Sequence, residues 1–176
     1  MDSVSNPSSM AIVTDAHPRP GLRSFSASLD LESPIEEAFA LLCAVEKWPV
    51  WLSFLRSARA TDPAAPLALG SEVIVRSSLP GDEEQLYEVD QFIANYHLSL
   101  VGAFSVRRRL DFRLERKTSY AKLHVRLTYP AYGGRLGRLV DQWRNGRKLE
   151  RVLDDALMHF KGLVEYRTED PILADF

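Results

Sequence analysis

The sequence contains a single cysteine, Cys43, among its 176 residues. An internal disulfide bond is therefore excluded, and so low a cysteine content is typical of proteins from a reducing compartment. The N-terminus has no basic region followed by a long apolar run, which a signal peptide would need. No apolar run is long enough to span a bilayer. We therefore expect a cytoplasmic protein with no transmembrane segment.

The sequence also lacks a strong charge of either sign. Its 22 basic and 24 acidic residues give a formal net charge of -2. Acidic residues interrupt the two arginine-rich stretches at 107–113 and 135–148, which is typical of a solvated charged surface. We therefore expect no nucleic acid among its partners.

Motifs of known catalytic or metal-binding spacing are absent as well. The sequence has no glycine-rich phosphate loop and no nucleophile elbow, and its histidines lack neighbouring ligands at metal-binding spacing. We therefore expect no metal and no organic cofactor, and the sequence assigns no catalytic residue. Cys43 lies among apolar residues that would not lower its pKa, which indicates a structural thiol. His124 is out of phase with its apolar neighbours and is expected to face solvent.

The apolar periodicity predicts a strand, two short helices, a set of strands and a long helix. Residues 24–31 alternate between apolar and polar, as in a half-buried strand. Ser33 predicts an N-cap, with Pro34 at the first helical position and Glu36 completing a capping box. Pro49 predicts a second short helix from about Trp48. This second helix is expected to carry Trp51, Phe54 and Leu55.

Period-two alternation returns between residues 58 and 130, with short polar connections typical of antiparallel hairpins. The predicted strands are Ala58–Thr61, Ser71–Ser77, Gln85–Ala94, Leu98–Phe104, Val106–Glu115 and Tyr120–Tyr129. A long helix is predicted from Leu136 to about Arg167. Only this helix is large enough to cover the apolar face of one antiparallel sheet. The predicted fold class is α+β, with seven strands curved around the C-terminal helix.

Four quoted stretches resemble the START-like, or SRPBCC, superfamily. They are "SPIEEAFALLCAVEKWPVWLSFLRSARA", "LGSEVIVRSSLPGDEEQLYEVDQF", "RRRLDFRLE" and "LTYPAYGGRLGRL". The nearest named relatives are the polyketide cyclase/dehydrase branch and the Bet v 1-like helix-grip fold. The resemblance covers about residues 24–167 and implies a helix-grip domain over residues 23–167. Residues 1–22 are rich in Ser and Pro and are expected to be a flexible segment, and residues 168–176, after a proline-terminated helix, are expected to be a tail. Such a fold hosts binders, carriers and enzymes alike, so it does not fix the function.

The candidate ligand-binding residues lie on the faces predicted to point inward. Arg108 shares its strand phase with Phe112, whereas Arg107 and Arg109 point to the other side. An inward guanidinium suits a ligand carboxylate, enolate or phenolate, although it could instead pair with a carboxylate at the rim. The other candidates are polar or aromatic groups that either orient a ligand or only pack. They are Trp51, Phe54, Tyr87, Gln91, Tyr129 and Trp143.

The sequence therefore predicts a cavity that binds a hydrophobic or aromatic small molecule such as a lipid, polyketide or quinone. The protein is then a carrier or binding module, as a monomer or homodimer. The alternatives are an aromatase/cyclase that uses Arg108 with Tyr87 or Tyr129, and a coenzyme Q-binding relative. A break in the apolar stripe of the long helix further predicts a kink at Asn145–Gly146, which would divide a mobile cover over the cavity from an anchored half.

Overall fold

The computed structural model describes residues 22–77, 84–103, 105–130 and 146–169. These residues form seven β-strands, three α-helices and one 3-10 helix. In chain order they are β1 Leu22–Leu31, α1 Ile35–Cys43, the 3-10 helix Val45–Lys47, α2 Trp48–Trp51, β2 Leu55–Ala60, β3 Glu72–Ser77, β4 Glu84–Ile93, β5 His97–Gly102, β6 Ser105–Arg116, β7 Ala121–Pro130 and α3 Gly146–Glu169.

The strands form one curved antiparallel sheet in the order β1-β7-β6-β5-β4-β3-β2. Consecutive strands from β2 to β7 are neighbours, and β1 pairs with β7 along its whole length. β1 and β2 are therefore the two edges of the sheet. Because α1 and α2 connect these edges, they run across the sheet from one side to the other. The predicted antiparallel sheet that includes residues 24–31 is confirmed.

The helix α1 begins one residue later than the predicted cap requires. Pro34 occupies the N-cap position with an extended ψ of 139°, and no side chain caps the helix. The carbonyl of Pro34 instead accepts both the Glu37 and the Ala38 amides at 3.2 Å. Ser33 Oγ is buried and has no hydrogen-bond partner in the described part of the chain. The predicted capping box is therefore wrong, because the serine side chain turns into the core rather than toward the helix amides.

The second helix is also shorter than predicted. α2 spans only Trp48–Trp51, and Leu52 follows with φ -89° and ψ 84°, outside the helical region. The amide of Leu55 bonds to the carbonyl of Leu52 at 2.8 Å, which closes a turn that leads into β2. Phe54 lies in this turn, and Leu55 is the first residue of β2. The prediction that both belong to the helix is wrong.

The C-terminal helix α3 turns an apolar stripe toward the sheet. The buried members of this stripe are Leu153, Ala156, Leu157, Phe160 and Val164. Two polar contacts fix the helix to the end of β1: Lys161 Nζ donates to the carbonyl of Asp30 at 3.2 Å, and Glu165 Oε1 accepts the Glu32 amide at 3.0 Å. The predicted helical residues 136–145, and with them the predicted kink, lie outside the described residues.

The predicted domain limits differ slightly from the ends of the described elements. β1 begins at Leu22, one residue before the predicted start of the domain, and α3 continues to Glu169, two residues into the predicted tail. The rest of the predicted N-terminal segment and tail lies outside the described residues. No helix in the described ranges is both long enough and apolar enough to cross a membrane.

Candidate ligand-binding face

One face of the sheet, here called the inner face, is apolar across its central strands. Alternate residues of paired strands meet there, as in the pairs Leu98–Phe112, Leu100–Leu110 and Leu114–Leu123. All six side chains of these pairs are buried. Since successive side chains of a strand point to opposite faces, the residues between them belong to the opposite, outer face.

An aromatic cluster connects the inner face to the two helices above it. The ring centroid of Trp51 lies 4.9 Å from that of Phe160 on α3 and 6.0 Å from that of Phe112 on β6. Trp48 lies 5.6 Å from Phe112, and its indole Nε1 donates to the carbonyl of Leu42 at 2.9 Å. Trp51 Nε1 is buried with no hydrogen-bond partner in the described residues. The neighbouring Phe54 is buried as well.

Tyr87 and Arg108, two of the predicted site residues, are in contact. Tyr87 is buried on β4 and lies opposite Gly102 of β5, which places no side chain between the phenol and β6. Strands two apart in a sheet are separated by roughly 10 Å, a span that a tyrosine and an arginine can bridge together. The Arg108 guanidinium lies close enough to the phenol oxygen to stabilise its ionised form. The phenol in turn donates to Gln85 Oε1 at 3.3 Å.

The environment of Tyr87 keeps its phenol protonated. Burial raises the pKa of Tyr87, and the nearby Arg108 guanidinium lowers it only in part. The hydroxyl therefore stays neutral near physiological pH beside a permanent cation. A phenol and a guanidinium at the end of an apolar wall offer one proton donor and one cationic hydrogen-bond donor to a ligand oxygen. Gln85 was not among the site residues predicted from the sequence, although it lies two residues before Tyr87 and therefore on the same face of β4.

The alternation predicted for β6 is confirmed by Arg109. Its guanidinium lies on the outer face, where one nitrogen donates to Ser99 Oγ at 2.8 Å and another to Asp90 Oδ2 at 2.6 Å. Leu110 and Phe112 are buried on the inner face. Arg108, which is partly buried, therefore follows the inner-face phase of its strand.

Gln91 is not on the inner face. A β-bulge separates the pairs Val89–Leu100 and Gln91–Ser99, so that Asp90 is an extra residue in β4. The extra residue reverses the phase of the strand, and Gln91 is exposed on the outer face opposite Ser99. Phe92 takes the inner position instead, and its ring centroid lies 5.5 Å from that of Phe39 on α1. The predicted orientation of Gln91 is wrong.

Two predicted site residues, Tyr129 and Trp143, fall partly or wholly outside the described residues. Tyr129 belongs to β7, where its backbone pairs with Arg23 of β1, but its side chain lies outside the described set. Trp143 lies wholly outside the described residues. Their roles at the site therefore stay predictions.

Sequence reasoning also missed a polar network on the outer face. His97 Nε2 donates to Asp111 Oδ2 at 3.1 Å, and Arg113 Nε lies 3.2 Å from the other carboxylate oxygen. His97, Asp111 and Ser99 are all buried. The one available signal was Asp111, a carboxylate between two apolar residues of a strand.

Cys43 and the acidic and histidine side chains offer little further chemistry. Burial raises the pKa of the Cys43 thiol to about 11, which disfavours the reactive thiolate. His124 is exposed, as predicted. Within the described residues, no three His, Cys, Asp or Glu side chains form a group that could hold a metal ion.

Similar architectures are found among solved structures. A protein from Deinococcus radiodurans is 17% identical, with a TM-score of 0.59 over 81% of this chain and 98% of its own. Ara h 8.0201 is 15% identical, with a TM-score of 0.55 over 83% of this chain and 99% of its own. The di-domain ARO/CYC StfQ from the steffimycin biosynthetic pathway is 12% identical, with a TM-score of 0.63 over 85% of this chain and 53% of its own.

At these low identities the likeness is one of fold. No protein-family model matches the sequence, and no curated protein matches it. The chain has the helix-grip fold of Bet v 1-like, START-like structures, and the resemblance predicted from the sequence is confirmed at this level. Because one fold hosts unrelated functions, function has to be argued from the site.

Proposed function

We propose that the protein binds a hydrophobic or aromatic small molecule between the inner face of the sheet and α3, as a carrier or binding module. The observation that carries this proposal is the contact between Tyr87 and Arg108 on an otherwise apolar wall. Burying a guanidinium beside apolar side chains is costly unless it has a charged or polar partner. A ligand that carries an anionic or strongly accepting oxygen would supply a further partner.

The proposed ligand has two parts. Its apolar body lies against the leucine side chains of the inner face, where burial contributes about 25 cal/mol per Å² of apolar surface. Its oxygen lies near Arg108 and Tyr87, which fix its orientation. Trp51, Phe54, Phe112, Tyr129 and Trp143 are proposed to close the cavity around the apolar body.

The test compares 2-naphthoate with its neutral analogue 2-naphthamide, by isothermal titration calorimetry. We expect Arg108→Leu to weaken naphthoate by about tenfold or more, the value of a charged hydrogen bond, and to leave naphthamide within about twofold. Arg126→Leu is the matched control, because Arg126 is exposed on the outer face of β7. Equal losses for both compounds in Arg108→Leu, or no binding of either to the unmodified protein, would overturn the proposal.

Native mass spectrometry of protein purified from its own host would identify the class of ligand. A retained lipid or polyketide would support the carrier, and a retained quinone would support the coenzyme Q-binding alternative. The predicted cytoplasmic location and the predicted monomer or homodimer remain part of the proposal, and light scattering at several concentrations tests the latter.

A second candidate function is an aromatase/cyclase. The protonated phenol of Tyr87 beside the Arg108 guanidinium favours it, because this pair could donate a proton and stabilise a developing enolate oxygen. StfQ, a di-domain ARO/CYC, has a similar fold. If the protein is a cyclase, it should accelerate ring closure and loss of water from a linear poly-β-ketone. Tyr87→Phe should then abolish this acceleration without preventing binding of the poly-β-ketone. If the protein does not change the rate of ring closure, the cyclase is refuted and the carrier is the function that stands.

A further inference from the structure

The strand that carries Arg108 is irregular just before it. Gly102 of β5 pairs with Ser105 of β6, whereas the next pair is Val101 with Arg109. One step along β5 thus corresponds to four along β6, so residues 106–108 have no paired partner in β5. On the other side, the first pair of β6 with β7 is Arg109 with Thr128. Arg109 is therefore the first residue of β6 that the sheet holds from both sides.

The side chain of Arg109 is itself fixed by two neighbouring strands. Its guanidinium crosses β5 on the outer face, donating to Ser99 Oγ at 2.8 Å and to Asp90 Oδ2 of β4 at 2.6 Å. Ser99 is fully buried, and Asp90 is the extra residue of the β4 bulge. Asp90, Ser99 and Arg109, here called the outer clamp, thus connect three strands directly behind the contact of Tyr87 with Arg108.

We propose that the outer clamp positions Arg108 against Tyr87. Successive side chains of a strand point to opposite faces, so an Arg109 side chain that is held outward directs Arg108 inward. At Arg108 itself, β6 has no backbone pairing with β5 that could fix this direction. The clamp residues touch no ligand in this arrangement. They act through the backbone of β6 and are positioning residues. The consequence for binding rests on the proposed function, whereas the positioning itself does not.

Tyr87 reports on the position of Arg108 without any ligand. The test follows the ring 13Cζ signal of Tyr87 against pH in tyrosine-labelled protein, assigned with Tyr87→Phe. Because Arg108 lowers the pKa of Tyr87, we expect Asp90→Ala to raise it toward the value in Arg108→Leu. The double variant Asp90→Ala/Arg108→Leu should show no further rise, since both changes remove the same contact.

The sign of the shift separates positioning from a direct electrostatic effect. Removing the Asp90 carboxylate without moving Arg108 leaves an unneutralised Arg109, which would stabilise the tyrosinate and lower the pKa of Tyr87. A fall or no change in a folded Asp90→Ala protein would therefore overturn the proposal. If Asp90→Ala does not fold, Asp90→Asn gives the same comparison, and Asp90→Glu should restore the unmodified titration.

The matched control is Glu88→Gln. Glu88 is exposed and lies two residues before Asp90 on the same strand, where it pairs with Val101. The substitution therefore changes the charge of β4 without removing a hydrogen bond of Arg109. We expect it to leave the Tyr87 titration unchanged. Binding of 2-naphthoate provides a separate readout: if Asp90→Ala shifts Tyr87 but no variant binds naphthoate, the positioning stands and the proposed ligand site fails.

Discussion

Trp51 of α2 packs edge to face against Phe160 of α3, with ring centroids 4.9 Å apart and an angle of 73° between the rings. Both residues are fully buried. The contact joins the segment that crosses between the sheet edges to the helix that covers the inner face. Aromatic pairs of this geometry add about 0.5–1.5 kcal/mol beyond the burial of their surface. The two covering elements of the fold are thus held by each other as well as by the sheet.

Truncating Trp51 should therefore destabilise the whole domain. We expect Trp51→Ala to lower the free energy of unfolding by about 3–5 kcal/mol, because it leaves a large void beside Phe112 and Phe160. Urea denaturation measures the change. Val50→Ala is the matched control, since Val50 lies in the same helix but is 61% exposed, and it should stay within about 0.5 kcal/mol. Similar losses for both variants would show that Trp51 is not a core residue.

Tyr87 should make stability depend on alkaline pH. Its pKa is raised by burial above the ordinary value of 10.0. Above pH 10 the unfolded chain releases this proton while the folded protein keeps it, so the free energy of unfolding falls as pH rises toward the folded pKa. Tyr87→Phe should make this fall shallower, as urea titrations between pH 9 and 11 can show. Tyr120→Phe, at an exposed position, should not; an equal effect of both would refute the assignment.

Cys43 should react slowly with alkylating reagents in the folded protein. Burial raises its pKa from 9.0 to about 11, which reduces the thiolate fraction at pH 8 about a hundredfold. The greater nucleophilicity of a more basic thiolate recovers part of this, leaving a rate about tenfold lower. The comparison is the iodoacetamide rate of native protein against protein unfolded in urea. Equal rates in the two states would contradict the burial of the thiol.

The buried pair of His97 and Asp111 should contribute to stability although it lies on the outer face. Asp111→Ala leaves the buried imidazole without its partner at 3.1 Å, and we expect a loss of about 1–3 kcal/mol in thermal or urea unfolding. Glu115→Ala is the control on the same strand. Its carboxylate lies 2.6 Å from Lys117 Nζ in an exposed ion pair, which water and salt screen, so its loss should destabilise the protein less than the loss of Asp111. The reverse order would refute this.

Much of the architecture follows from the sequence. The alternation of apolar and polar residues predicted seven strands, and the short polar connections predicted that those after β2 pair as hairpins. Both are confirmed, because burial of one sheet face requires period two along each strand. The same periodicity placed Leu110 and Phe112 inward and Arg109 outward. Local pattern is sufficient wherever the ladder is regular.

The tertiary structure decided the places where the ladder is irregular. Nothing in the sequence of β4 marks Asp90 as a bulge, and the bulge reverses Gln91 and Phe92 relative to the predicted phase. The partner of the Asp90 carboxylate, Arg109, lies 19 residues away on another strand. Ser33 likewise has the sequence of a cap but a buried side chain. A helix cap contributes only about 0.5–2 kcal/mol. Cross-strand contacts and core packing override such a local signal when they contribute more.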